Sequence, residues 1–353
     1  MKKSIRNKLF SMLSFLMVAA FVLAACQPSG APTPAEAESS SSDSYVVWAP
    51  LSSNLGDKSF MDSANRGLMQ AKDELGMEVR VIPADANDTA AWERNLREAA
   101  TKPEVDMIVT GGTLMSSTLA GVAPEFPDKK FIIFDAESSG PNVTGIIYLQ
   151  NEGAFVAGVL AALITKNPDK FQYAEGTNKV GLCTGQDMPV IQDYITGFKD
   201  GVAYIDPSIE VDVRFTDDWA NPQKGYEVAT AMINDGVDVI YAVASVTSIG
   251  ILEAVAANEA YGIGQDSNQN DLQPGFIAGS AIKSVDATVF EALKEAVEGK
   301  LEMGVTRQGN IANGGVSFEP AMDIVPADIL EQLNQVIAEI KAGKIVPASF
   351  FTK

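Results

Sequence analysis

The chain has 353 residues, a formal charge of −20, two cysteines and no histidine. Without histidine there is no Ser-His or Cys-His nucleophile pair and no histidine-containing zinc site, and two cysteines cannot build a four-thiolate one. So acidic a surface argues against nucleic acid as a partner.

Lys2, Lys3, Arg6 and Lys8 precede an apolar stretch over residues 9–25 that ends in Leu23-Ala24-Ala25-Cys26. A charged start, a short apolar core and small residues at the cut describe a secretory signal. The stretch is short of the roughly 20 apolar residues a membrane span needs. A cysteine directly after Leu-Ala-Ala matches the lipobox of bacterial lipoproteins, where the thiol carries a lipid; the alternative is an uncleaved anchor helix. Residues 1–25 are therefore expected to be a signal peptide and Cys26 the lipidated residue. Residues 26–44, mostly Pro, Ser, Ala, Gly and Glu, are expected to be a flexible tether. The protein is then expected lipid-anchored on the extracytoplasmic face of the cell membrane. With Cys26 lipidated, Cys183 has no disulfide partner.

From Tyr45 the pattern alternates strands and amphipathic helices. Strands are expected at 45–49, 77–82, 105–110 and 131–134, and helices at 58–75, 89–101 and 116–125. The pattern then restarts. Helices at 153–165, 187–204, 222–235 and 249–259 alternate with strands at 179–183, 209–215, 237–244 and 261–264. A further strand at 276–281 leads into a helix at 285–298, and residues 329–342 form a last helix. Near-continuous apolar strands separated by helices indicate an α/β protein of two parallel sheets, each covered on both faces. Ligands of such sheets bind outside the carboxyl ends of the strands. Two facing blocks make a cleft that closes by a hinge. The expected division is 45–148 plus 276–300 for the N-terminal lobe and 149–275 plus 301–353 for the C-terminal lobe. The placement of 276–300 leans on fold analogy.

Several blocks resemble one family in order along the chain. They are Gly56-Asp57-Lys58-Ser59-Phe60, Phe126-Pro127-Asp128-Lys129-Lys130-Phe131 with Asp135, and Asn151-Glu152-Gly153-Ala154-Phe155. Trp219-Ala220-Asn221-Pro222 and Lys283-Ser284-Val285-Asp286 continue the series. The set resembles the basic membrane protein family, lipoproteins that bind nucleosides for ABC importers and have the type I periplasmic-binding-protein fold. The resemblance implies a solute-binding component, not an enzyme, working with a membrane permease. The protein is expected to be a monomer and to need no cofactor. Two other classes stay open: a surface sensory receptor of the same fold, and an exported hydrolase using paired carboxylates.

The resemblance implies six ligand-binding positions. Phe60 is a ring to stack on a flat base. Asp57 accepts from a ligand hydroxyl, or simply caps the helix that follows. Asp135 ends an apolar strand and hydrogen-bonds the ligand, or caps a turn. Trp219 offers a second ring, or packs within its lobe. Asp266 accepts two hydroxyls of a vicinal diol, or is a turn residue. Lys283 supplies a donor, or is a solvated surface lysine. The chain departs from the family pattern at Pro50-Leu51-Ser52-Ser53, at Ala244-Ser245-Val246-Thr247-Ser248 and at Gly264-Gln265-Asp266-Ser267-Asn268. All three lie at strand ends, where selectivity is set. Asp266-Ser267-Asn268 starts like a calcium loop, but position six is Asp271 and position twelve Ile277, so no metal is expected.

Overall fold

The computed structural model describes residues 44–352. The signal peptide, Cys26 and tether positions 26–43 lie outside the described residues.

The first block runs β1 (Val46–Pro50), α1 (Phe60–Leu75), β2 (Glu78–Ile82), α2 (Thr89–Thr101), β3 (Met107–Gly111), α3 (Met115–Val122), β4 (Lys130–Phe134) and β5 (Val143–Tyr148). The chain then enters the second block. There α4 (Gln150–Lys166) is followed by β6 (Lys179–Thr184), α5 (Pro189–Ile205), β7 (Glu210–Phe215), α6 (Pro222–Asn234), β8 (Val239–Val243), α7 (Thr247–Ala257), β9 (Tyr261–Asp266) and β10 (Ile277–Lys283). The last elements are α8 (Val285–Val297), β11 (Thr306–Gly309), β12 (Val316–Pro320) and α9 (Ala327–Lys341).

The strands form two six-stranded sheets, ordered β11-β5-β4-β3-β1-β2 and β12-β10-β9-β8-β6-β7. All pairings are parallel except β10 with the edge strand β12. The central strands β3, β4 and β8 are almost wholly buried, as expected of parallel strands covered by helices on both faces.

The unit at 276–300 is divided differently from the sequence expectation. Its strand β10 pairs with β9 and β12 in the second sheet. Its helix α8 packs against α1 in the first lobe. Gly67 makes that packing close: a Cβ there would stand 2.3 Å from the Asp286 carbonyl oxygen. The chain thus passes between the sheets after β5, after β10 and after β11.

The second lobe is organised by α4, whose residues from Gly153 to Thr165 are all buried. Its Ala- and Gly-rich sequence lets α5 approach backbone to backbone. A Cβ on Gly201 would lie 2.0 Å from the Phe155 carbonyl oxygen, and one on Gly158 would lie 2.2 Å from that of Phe198. No helix among the described residues is long and apolar enough to cross a membrane.

Candidate ligand-binding site

A cavity of about 130 Å³ lies between the two sets of strand ends. Its walls come from the residues just past the C-terminal ends of strands: Ser52 and Ser53 after β1, Gly112 and Thr113 after β3, Asp135 after β4, Ser245 after β8. Asp266 and Lys283 close β9 and β10. This is where the geometry of parallel sheets leaves unpaired groups and converging loops.

Three of these positions share an unusual backbone. Asp135, Ser245 and Asp266 have φ of 62°, 50° and 67°. Left-handed conformations are disfavoured for residues with a side chain, least so for Asp and Asn, and strain of this kind clusters at ligand-binding sites. Asp135 directly follows a buried strand, Asp266 ends one, and Ser245 comes two residues after one.

Asp135 and Lys283 meet across the cleft. The Lys283 ammonium lies 2.7 Å from Asp135 Oδ1, with side-chain exposures of 4% and 11%. Three aromatic rings surround the same ammonium: Nζ is 5.4 Å from the Phe60 and Tyr148 centroids and 5.2 Å from that of Tyr194. Ring faces attract a desolvated cation. Lys283 is therefore a buried, doubly stabilised charge and not a solvated surface lysine.

Asp266 is buried on the opposite wall. Its Oδ1 accepts from Gln265 Nε2 at 2.6 Å and from the Tyr194 hydroxyl at 3.3 Å. Its Oδ2 accepts from Ser59 Oγ of the first lobe at 3.0 Å. Burial raises its pKa above the ordinary carboxylate value, opposed by the charge of Lys283. A carboxylate has about four acceptor sites, so one acceptor position of Asp266 is left unfilled. Accepting both hydroxyls of a diol requires Ser59 to give way. Gln265 is itself fixed from behind, donating to Tyr194 at 2.8 Å and accepting from the Tyr241 hydroxyl. Burial holds both tyrosine hydroxyls well above their usual pKa, so they stay protonated donors.

Phe60 opens α1 and lines the cavity. Its ring is backed edge-on by Phe134, with centroids 5.4 Å apart. Gly111 makes room for that backing, since a Cβ there would fall 2.2 Å from the Phe134 ring. Trp219 also lines the cavity, and its ring lies against Gly185, where a Cβ would stand 2.5 Å away. Its indole nitrogen is buried with no hydrogen-bond partner among the described residues.

Asp57 is placed differently. It does not line the cavity. Its carboxylate accepts the backbone N–H groups of Ser59, Met61 and Asp62 at 2.9–3.1 Å, which caps the start of α1. Its Oδ2 also lies 3.2 Å from Ser245 Oγ of the second lobe. Burial pushes its pKa up and the three N–H donors oppose the rise.

So the structure brings Phe60, Asp135, Trp219, Asp266 and Lys283 to one cavity and leaves Asp57 beneath it. Sequence reasoning missed Tyr194, Tyr148 and Gln265. Tyr194 sits inside the apolar pattern of α5 and reads as core. Ser52 and Ser245, in the loops that depart from the family pattern, do reach the cavity wall. Among the described residues no group of His, Cys, Asp and Glu is arranged to hold a metal ion.

Two helix-covered sheets that turn their strand ends towards each other across a ring-lined, charged cavity define a type I periplasmic-type solute-binding protein. The model of the family described as ABC transporter substrate-binding protein PnrA-like matches residues 46–349, and the chain belongs to that family. An uncharacterized lipoprotein of Pyrococcus abyssi is 29% identical over 271 residues, 73% of this chain and 65% of that protein. The chain thus spans just under two thirds of that relative's length. The nucleoside-binding ABC transporter protein BmpA of Lactococcus lactis is 27% identical over 315 residues, 84% of this chain and 86% of that one. Among solved structures, an ABC transporter solute-binding protein of Aeropyrum pernix K1 superposes with a TM-score of 0.76 at 28% identity, covering 87% of this chain and 93% of that one.

Proposed function

We propose that this protein captures a nucleoside between its lobes and presents it to an ABC permease, held at the extracytoplasmic membrane face by a lipid on Cys26. The observation that carries the reading is the cavity itself. One aromatic ring, Phe60, is held rigidly by Phe134, and two carboxylates, Asp135 and Asp266, face the same small space from opposite lobes. A flat base stacks on Phe60. Asp135 and Asp266 take hydroxyl or amine protons, and Trp219 offers a second ring. A solute touched by both lobes favours their closed arrangement, because only that arrangement gives it all its contacts. Family membership and the name of the Lactococcus relative support both the transport role and the nucleoside. The names of the Pyrococcus relatives support the lipid anchor.

A thermal-shift screen of nucleosides against free bases and monosaccharides tests the ligand. A nucleoside at about 100 times its dissociation constant should stabilise the protein by about 2.7 kcal/mol. Stabilisation by sugars alone would redirect the reading to a sugar carrier. Fatty-acid labelling of wild type and Cys26→Ser tests the anchor: label retained by the variant contradicts it.

A further inference from the structure

The cavity described above is not closed. Thr113, Asp135 and Val190 line it and also line a second, outer cavity of about 610 Å³ between the lobes. Pockets for small solutes usually have about 300–1,000 Å³. The inner chamber alone falls below that range, and the outer one falls within it. A solute whose ring sits on Phe60 therefore has room to continue past Asp135.

The two chambers differ in chemistry. The inner one holds Phe60, Tyr194 and Trp219 and, among the described residues, the only lysine or arginine on either wall, Lys283, whose ammonium is already engaged by Asp135. The outer one mixes apolar residues, Tyr148 and Phe351 among them, with hydroxyls, amides and two further carboxylates, Glu137 and Asp193, and among the described residues it has no cation. Asp193 is 1% exposed. Its oxygens are held only by neutral donors: Gln150 Nε2 at 2.6 Å, Ser349 Oγ at 2.7 Å and the Phe350 N–H at 2.9 Å. A buried charge usually has an opposite charge beside it. Glu137 is exposed and has neither ion-pair nor hydrogen-bond partner among the described residues.

We infer that the solute site is bipartite, and that the outer chamber receives a protonated amine carried by the ring-bearing solute. The inference rests on the nucleoside reading of the inner chamber. In this pose the base lies on Phe60, a ribose hydroxyl meets Asp266, and the 5′ carbon faces the outer chamber past Asp135. An ammonium there meets Glu137 and the field of Asp193. A phosphate there meets three carboxylates and, among the described residues, no free cation.

The test is calorimetry on the full chain with adenosine, guanosine and uridine, each compared with its 5′-amino-5′-deoxy analogue and its 5′-monophosphate. At least one amine should bind about tenfold more tightly than its parent nucleoside, and the matching monophosphate more weakly than the parent. In Glu137→Gln the preference for the amine should shrink. An amine that binds no better than its parent, a monophosphate that equals the parent, or an amine preference unchanged in Glu137→Gln overturns the bipartite site while leaving the nucleoside reading standing. No binding by any compound in the three series overturns the nucleoside reading, and the bipartite site falls with it.

Discussion

Lys283, the last residue of a strand in the second sheet, bonds Asp135, the residue after a strand in the first, at 2.7 Å inside a ring of three aromatics. The contact joins the two lobes at the wall of the cavity, and both partners are nearly out of reach of water. Removing one partner of a buried pair leaves the other charge uncompensated, at a cost of about 3–5 kcal/mol. Lys283→Met should therefore lower the unfolding free energy by roughly 3 kcal/mol in urea titrations. The double variant Lys283→Met/Asp135→Asn should recover part of the loss, because asparagine tolerates the left-handed backbone of that position. Equal stability of the single variant and wild type would show that the pair is solvated in solution.

Phe60 and Asp57 sit three residues apart but have separate roles. Phe60→Ala removes a stacking face worth roughly 1–3 kcal/mol and should weaken solute binding while leaving most of the melting temperature intact. Asp57→Ala removes the cap of α1 and should cost about 0.5–2 kcal/mol of stability. Melting curves and calorimetry on the two variants separate these roles. A Phe60→Ala protein that binds as wild type does would remove the ring from the site.

The Asp266 carboxyl titrates above the ordinary value of about 3.9 because it is buried. The acceptor role proposed for it needs the ionised form. Solute affinity should therefore fall with falling pH at a pH where an exposed carboxylate is still ionised. Stability moves the other way. Between the unfolded and the raised folded pKa the folded state binds more protons, so this group stabilises the fold as pH falls through that window and loses the contribution as pH rises through it. Asp266→Asn should abolish its part of both dependences. An affinity profile of the same shape in wild type and variant would assign the titration to another group.

Gly201 allows α5 to touch α4. Gly201→Ala puts a methyl group 2.0 Å from the Phe155 carbonyl oxygen. Overpacking of this kind costs about 1–3 kcal/mol. Gly299→Ala is a control in which the added Cβ meets nothing within 4 Å and only the backbone, at φ of 69°, is strained. Gly201→Ala should melt lower than the control; the reverse order would mean that the helices can separate without loss.

Cys183 is fully buried, and burial pushes its thiol up to about 12. In a Cys26→Ser background it should resist a thiol-specific reagent at pH 8 and react once the protein is unfolded, since the thiolate is the reactive form. Rapid modification of the native protein would show that the second lobe opens readily.

Much of the fold was legible because apolar runs and helix periods mark buried strands and covering helices. The helix at Thr89–Thr101 falls where the pattern puts it. The strands β5, β11 and β12 were not legible. Thr306–Gly309 carries no apolar residue, and Val143–Tyr148 is interrupted by Gly145. Such strands are specified by their neighbours in the sheet and not by their own composition. Within 276–300 the strand pairs in the second sheet while the helix packs against α1, a division that composition does not mark. The site was legible where a chemical residue ends an apolar strand, as at Asp135. It was not legible at Tyr194, whose hydroxyl reaches Asp266 from within a helix that reads as core.

The most direct measurement is isothermal titration of the full chain with adenosine, guanosine, inosine and uridine, in wild type and in Phe60→Ala. At least one nucleoside should bind wild type with a dissociation constant in the micromolar range or below, about −8 kcal/mol or better. The same nucleoside should lose about tenfold or more in the variant. Absence of binding by all four nucleosides, with a monosaccharide binding the same preparation, would contradict a nucleoside carrier.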